Sequence, residues 1–306
     1  MPSTDVSSGA HSLTLLATPR YFLCEGPAWD GARATVSWVD IEEGLVVSAP
    51  YQDGVLGELT TIEVGGVVGC AIPLGDGRFL VSLESWIGIL HPSGRLEKSR
   101  ALIPANRRFN DGKIDPQGRL VVGSLRRANT DDTQHLIRLE HDGTVTVLDA
   151  DLHQSNGLGW SADGSVFYNA DTSVGIIFRR SYIDGVAGGR EVFVDMDGIP
   201  DGLTVDTDGN VWVTVFDGER VDCYAPDGTR LVERTIHLPG RHPSSVEFVG
   251  PGLDDLIVTT GFPRMEDPAA MALKTHHDGE LYVTRPGARG VATTPWHEIP
   301  LPPRSL

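Results

Sequence analysis

The chain has 306 residues and a formal net charge of −17, with 42 acidic side chains against 25 basic ones. This balance argues against a nucleic-acid partner, because no excess of Lys and Arg is available to neutralise phosphates. Thirty-six glycines and twenty prolines call for many turns and short strands, and the length suits one large all-β domain or two ordinary ones.

Residues 1–11 are polar and lack an apolar core segment, so they read as a flexible N-terminal segment without a signal peptide. No run approaches the length of a membrane span, and the expected compartment is the cytoplasm. From residue 34 onward one strand type recurs six times, at 34–39, 78–83, 120–122, 166–168, 211–213 and 255–260. A second family follows it at 45–48, 87–90, 136–139, 176–178, 220–224 and 280–283, most members running into Asp-Gly or Ser-Gly hairpin turns. Outer strands are predicted at 59–62, 144–147, 191–194 and 231–234.

Six units of roughly 40–50 residues, each a four-stranded antiparallel meander, describe a six-bladed β-propeller forming one domain over 12–300. Either 13–16 or 291–294 completes the last blade, and 263–277 reads as a long loop within it. Trp29, Trp38, Trp160 and Trp212 fall at blade-packing positions. Cys24, Cys70 and Cys223 have no metal-pair spacing and read as buried, reduced thiols.

One position of the repeat is chemically distinctive. It precedes the turn glycines Gly118, Gly164 and Gly209 by eight residues, and its occupants are Glu25, Gly69, Asn110, Asn156, Asp201 and Ser244 or Ser245. In a propeller the first strand of each blade lines the central channel, so these residues converge on the ring axis. Glu, Asn and Asp there present oxygen ligands to a shared space. Clustered carboxylates repel, and a hard divalent cation resolves that repulsion. The competing reading is plain turn chemistry, since Asp-Gly occurs thirteen times in the chain.

Four segments carry a family resemblance: Cys24-Glu-Gly-Pro-Ala-Trp-Asp30, Arg108-Phe-Asn-Asp-Gly-Lys-Ile-Asp-Pro-Gln-Gly118, Ser155-Asn-Gly-Leu-Gly-Trp-Ser161 and Pro200-Asp-Gly-Leu-Thr-Val-Asp206. In order and spacing the chain resembles the gluconolactonase family that includes senescence marker protein, or regucalcin. The resemblance implies a six-bladed propeller with one divalent metal ion in the central channel (Ca²⁺, Zn²⁺, Mn²⁺, Mg²⁺ or Fe²⁺). It further implies Glu25, Asn156 and Asp201 as metal ligands, Asp201 as general base, and Arg108 and Asn110 as substrate-binding residues. The expected reaction is hydrolysis of a small, sugar-derived lactone to its hydroxy acid.

No G-x-S-x-G or H-E-x-x-H pattern offers a different hydrolytic machinery. The chain departs from the family at 124–130, where Arg126 and Arg127 stand in a substrate-facing loop. These arginines point to a carboxylated or more polar lactone, the competing reading being solvated surface side chains. Lys113 is expected to be structural, and His242, His276, His277 and His297 to lie on loops. The alternatives are a hydrolase of another ester or organophosphate on the same metal site, a calcium-binding regulator with little turnover, and a scaffold propeller binding a protein. The expected partner is a small-molecule lactone, with neither membrane nor nucleic acid involved.

Overall fold

The computed structural model describes residues 4–5, 12–16, 18–126, 133–262, 271–272 and 274–303. Its strands form six antiparallel sheets, each a meander of four or five strands. Blade one runs Cys24–Asp30, Thr35–Asp40, Leu45–Gln52 and Thr60–Glu63, and the following blades repeat the pattern. The innermost strands are Cys24–Asp30, Cys70–Pro73, Arg107–Ile114, Ser155–Trp160, Ile199–Val205 and Pro243–Val249. Each of these packs against the next around the ring, and Pro243–Val249 returns to Cys24–Asp30. The ring is closed.

Closure comes from the N-terminal side. Leu13–Leu15 pairs with Leu281–Thr284 as the outer strand of blade six, and Leu13 is buried there. Thr4–Asp5, within the segment expected to be flexible, pairs in turn with Leu15 and Thr14. The stretch 291–294 forms no strand. It belongs instead to a C-terminal tail crossing the far end of the channel, held by Val291 N–H to the Val205 carbonyl at 3.4 Å and His297 N–H to the Gly118 carbonyl at 3.1 Å. Trp296 and Ile299 of this tail bury themselves beside blades two and three.

The core is divided among the blade interfaces. Trp212, Val221 and Cys223 of blade five pack on Val246, Phe248 and Tyr282 of blade six, and corresponding clusters fill the other junctions. Trp38 and Trp212 are fully enclosed, and Trp160 stacks on Phe167 at 4.6 Å. The three cysteines are free and buried, and burial pushes the Cys70 and Cys223 thiols up to about 12. Reduced, inert thiols are the physical consequence.

The turn glycines behave as expected. Gly118, Gly164 and Gly209 have φ of 76°, 71° and 84°, the left-handed region open to glycine. Two outer strands differ from expectation. Residues Val232–Arg234 form a 3₁₀ turn, and Ile236–His237 is the outer strand of blade five. Val232 is 67 % exposed whereas Ile236 is 2 % exposed, so the edge pairs where an apolar side chain can face inward. Blade two carries an outer strand, Leu96–Lys98, that the pattern did not reveal.

Candidate functional site

The site is built by an irregularity repeated around the ring. Pairing between the first and second strands slips at Glu25/Ala28, Phe109/Gly112, Ser155/Leu158, Pro200/Leu203 and Pro243/Ser245. Five of the six inner strands therefore carry a bulge, and only the short strand of blade two is regular. A bulge inserts unpaired residues and re-aims their side chains. Asn110, Asn156 and Asp201 are bulge residues, and Glu25 sits at the edge of its own.

Asn156-Gly157 and Asp201-Gly202 are accordingly not turns, and neither glycine has a positive φ. Space explains them. A Cβ on Gly157 would lie 2.5 Å from the Leu203 nitrogen, and one on Gly202 would lie 2.6 Å from the Ser245 Cα. The inner strands of neighbouring blades touch at these glycines, which draws the side chains beside them to one axis.

Glu25, Asn110, Asn156 and Asp201 meet at the floor of a cup of about 260 Å³. The Asn110 side-chain amide donates to Asn156 Oδ1 and to the Ser155 carbonyl, both at 3.1 Å. Asn156 Nδ2 donates to Asp201 Oδ1 and, at 3.0 Å, to Thr172 Oγ1. Arg108 donates to Asn110 Oδ1 at 2.8 Å and to the Phe109 carbonyl at 3.0 Å. Leu23, Ile41 and Phe216 line one part of the cup wall, and Arg126, Gln154 and Ser173 another.

The electrostatics of the floor are unfavourable for carboxylates. Burial, then the charges of Asp201 and Asp111, push the Glu25 carboxyl well above its ordinary value, with Arg108 opposing. Burial and Asp111 likewise raise Asp201, against Arg108 and the Asn156 hydrogen bond. Asp111 is pushed up to about 6 by burial, tempered by Lys113 and Arg108. Three carboxyl groups share one nearby arginine, and Glu25 Oε2 is buried without a hydrogen-bond partner. An orphaned oxygen at the centre of an acidic cluster is a position that needs a cation or a proton.

The donor set fits a hard divalent ion. Glu25 and Asp201 supply carboxylate oxygens, and turning the Asn156 amide end for end exchanges Nδ2 for Oδ1 beside Asp201. Among the described residues no three His, Cys, Asp or Glu side chains sit at ligand spacing, because the third member of this set is an amide. A softer N/S site is not on offer.

The remaining expectations divide. Arg108, Asn110 and Arg126 line the cup, whereas Arg127 lies outside the described residues, as do 263–270 of the long loop. Lys113 turns away from the cup and pairs with Glu247 at 2.6 Å, beside a larger chamber of about 600 Å³ under the C-terminal tail. His242 lies in the connection just before the strand that begins at Pro243, as expected, and is buried there with Nδ1 bonded to the Asp278 carboxylate at 2.9 Å. Sequence reasoning missed Asp111, which adjoins Asn110, lines the larger chamber and acts through its charge on Glu25 and Asp201. It also missed Thr172, Gln154 and Phe216, which no repeat position marks.

A closed six-bladed propeller with an oxygen-lined cup at one end of its channel is the class that fold and site define together. The chain belongs to the SMP-30/gluconolactonase/LRE-like family, whose model matches residues 23–262. It is 34 % identical over 246 residues to the pentonolactonase XacC of Haloferax volcanii, covering 78 % of this chain and 81 % of that protein. It is 33 % identical over 246 residues to the 6-deoxy-6-sulfogluconolactonase of Pseudomonas putida, covering 78 % and 83 %. Among solved structures, the calcium-binding regucalcin of Agrobacterium tumefaciens superposes with a TM-score of 0.82 at 25 % identity, covering 92 % of this chain and 96 % of that one. No helix among the described residues is long and apolar enough to cross a membrane.

Proposed function

We propose that the chain is a lactonase that opens a small, sugar-type lactone to its hydroxy acid in this cup. The lactonases among its relatives support the reaction class, and the acidic floor supports the machinery. The observation that carries the reading is Glu25 Oε2, buried and unpartnered beside Asp201. Glu25, Asn156 and Asp201 would hold one divalent cation, and that ion would supply a Lewis acid for the ester carbonyl.

The chain's own groups account for the rest of the chemistry. Arg108, braced by its bonds to Asn110 Oδ1 and the Phe109 carbonyl, lines the cup, where its guanidinium would meet substrate hydroxyls. Asn110 bridges the blade-three and blade-four bulges and fixes the floor. Asp201 in its ionised form takes a proton from the attacking water as the water oxygen bonds to the carbonyl carbon. The ring C–O bond then breaks, and the same proton passes to the departing ring oxygen, giving one hydroxyl and one carboxylic acid. Burial and the Asp111 charge raise the Asp201 carboxyl and so disfavour its basic form, and a bound cation would oppose that shift, coupling metal binding to basicity.

A calcium-binding role with little turnover uses the same ligands. The experiment that separates the two is a panel of aldonolactones assayed for acid release after chelation and after return of Ca²⁺, Mn²⁺, Zn²⁺ or Mg²⁺. The expected outcome is activity lost on chelation and restored by at least one ion, with Asp201→Ala lowering kcat by about 100-fold or more. Full activity in chelator, or a wild-type kcat in Asp201→Ala, overturns the reading. Ion binding with no hydrolysis of any lactone in the panel favours the regulator.

A further inference from the structure

We infer that the substrate of this cup is an anionic lactone, carrying a carboxylate-type group remote from its ring ester, and that Arg126 is the counter-ion for that group. The inference rests on the lactonase reading and names its substrate class.

The cup walls are unlike one another. Blades one and five contribute Leu23, Ile41 and Phe216, an apolar surface suited to one face of a ring. Blades three and four contribute Arg108, Arg126, Gln154 and Ser173, with Ser173 Oγ bonded to Gln154 Oε1 at 3.2 Å. The only carboxylates among the described lining residues are Glu25 and Asp201, and both belong to the floor. The two arginines hold different positions. Arg108 is tied down to Asn110, whereas Arg126 ends the second strand of blade three at the wall, pairing in register with Arg107. No hydrogen bond or ion pair engages the Arg126 side chain among the described residues.

A guanidinium that no described residue engages costs little while it is solvated. Once a substrate displaces that water, its N–H groups need new acceptors, and a wholly neutral ligand leaves part of a cation desolvated. A planar oxyanion meets the guanidinium fork through two parallel hydrogen bonds. Long-range steering does not supply the selectivity, because a chain of net charge −17 repels anions. A local pair must therefore admit them. Since Arg126 ends a second strand while Glu25 and Asp201 lie on inner strands, the anionic group sits away from the reacting carbonyl.

The test compares D-glucaro-1,4-lactone, which carries a free carboxylate, with neutral D-glucono-1,4-lactone on the metal-loaded enzyme. The expected result is a higher kcat/KM for the anionic lactone. Arg126→Gln lowers that preference about tenfold, chiefly through KM, and Arg126→Lys restores part of it. A preference for the neutral lactone, or a ratio unchanged in Arg126→Gln, overturns the inference while leaving the lactonase reading standing. If neither lactone is hydrolysed, the lactonase reading fails, and titration calorimetry with D-glucarate and uncharged D-glucitol decides the anion site. Tighter D-glucarate binding that Arg126→Gln abolishes supports the site, and equal binding of the two removes it.

Discussion

Gly202→Ala isolates the close approach of blades on which the site depends. The added Cβ would stand 2.6 Å from the Ser245 Cα and 2.7 Å from its Cβ. Ordinary carbon contacts need about 3.5 Å, so the inner strands of blades five and six must part by roughly 1 Å. Backbone cannot rotate out of the way as a side-chain tip can, which places the cost near the top of the overpacking range, about 3 kcal/mol. For a domain of this size that lowers Tm by roughly 6–10 °C. Asp201 adjoins the substituted residue, and a displacement of about 1 Å is enough to cost on the order of 100-fold in turnover. Gly189→Ala is the control, because a Cβ there meets nothing within 4 Å and its φ is not positive. It should change stability by less than about 0.5 kcal/mol. Calorimetric unfolding of both variants, with metal-restored lactone hydrolysis, reads the difference. Unfolding of Gly202→Ala within about 1 °C of Gly189→Ala would refute the close-approach argument and return Asp201-Gly202 to ordinary loop chemistry.

Two further outcomes follow from the floor and from the seam. The folded-state carboxyl of Glu25 is raised, so its contribution to stability is full below the ordinary glutamate value and is lost as pH rises through the raised one. Chelated Glu25→Gln should therefore be more stable than chelated wild type by about 1–4 kcal/mol near pH 8, with a smaller gain near pH 5.5. A variant that melts below wild type at pH 8 would contradict this. At the seam, Leu13→Ala removes a side chain that is 1 % exposed and should cost about 2–5 kcal/mol in urea unfolding. Thr14→Ala on the same strand should cost much less, and equal effects would mean that Leu13 does not anchor the ring.

Much of the architecture is legible because its signals are local. Gly118, Gly164 and Gly209 adopt the left-handed conformation that marks each turn, and the apolar strands after them repeat at blade pitch. Outer strands are harder, since only one edge is paired and little is buried. The apolar Leu231 and Val232 drew the expectation to 231–234, although Ile236 is the residue the core receives. The bulges have no local signature, because a bulge exists only relative to its partner's register. Asn110 was found from the repeat position. Its neighbour Asp111 was not, since two consecutive residues reach the same channel only once the strand is bulged. The rim residues Gln154 and Ser173 come from connections between strands, where the repeat imposes no residue type.

The ring also explains how three carboxyl groups remain together. Glu25, Asp111 and Asp201 come from blades one, three and five, and each blade is fixed on both sides by its own apolar cluster. A loop would relieve the repulsion among them by moving. An inner strand of a closed propeller cannot shift without opening two packed interfaces, each built from several fully buried side chains. Relief must then come from charge, either by protonation, which the raised values of all three groups already express, or by a cation. The fold thus stores an electrostatic penalty that packing energy sustains. A ligand that removes the penalty would stabilise the protein and, on the lactonase reading, would also favour the ionised form of Asp201.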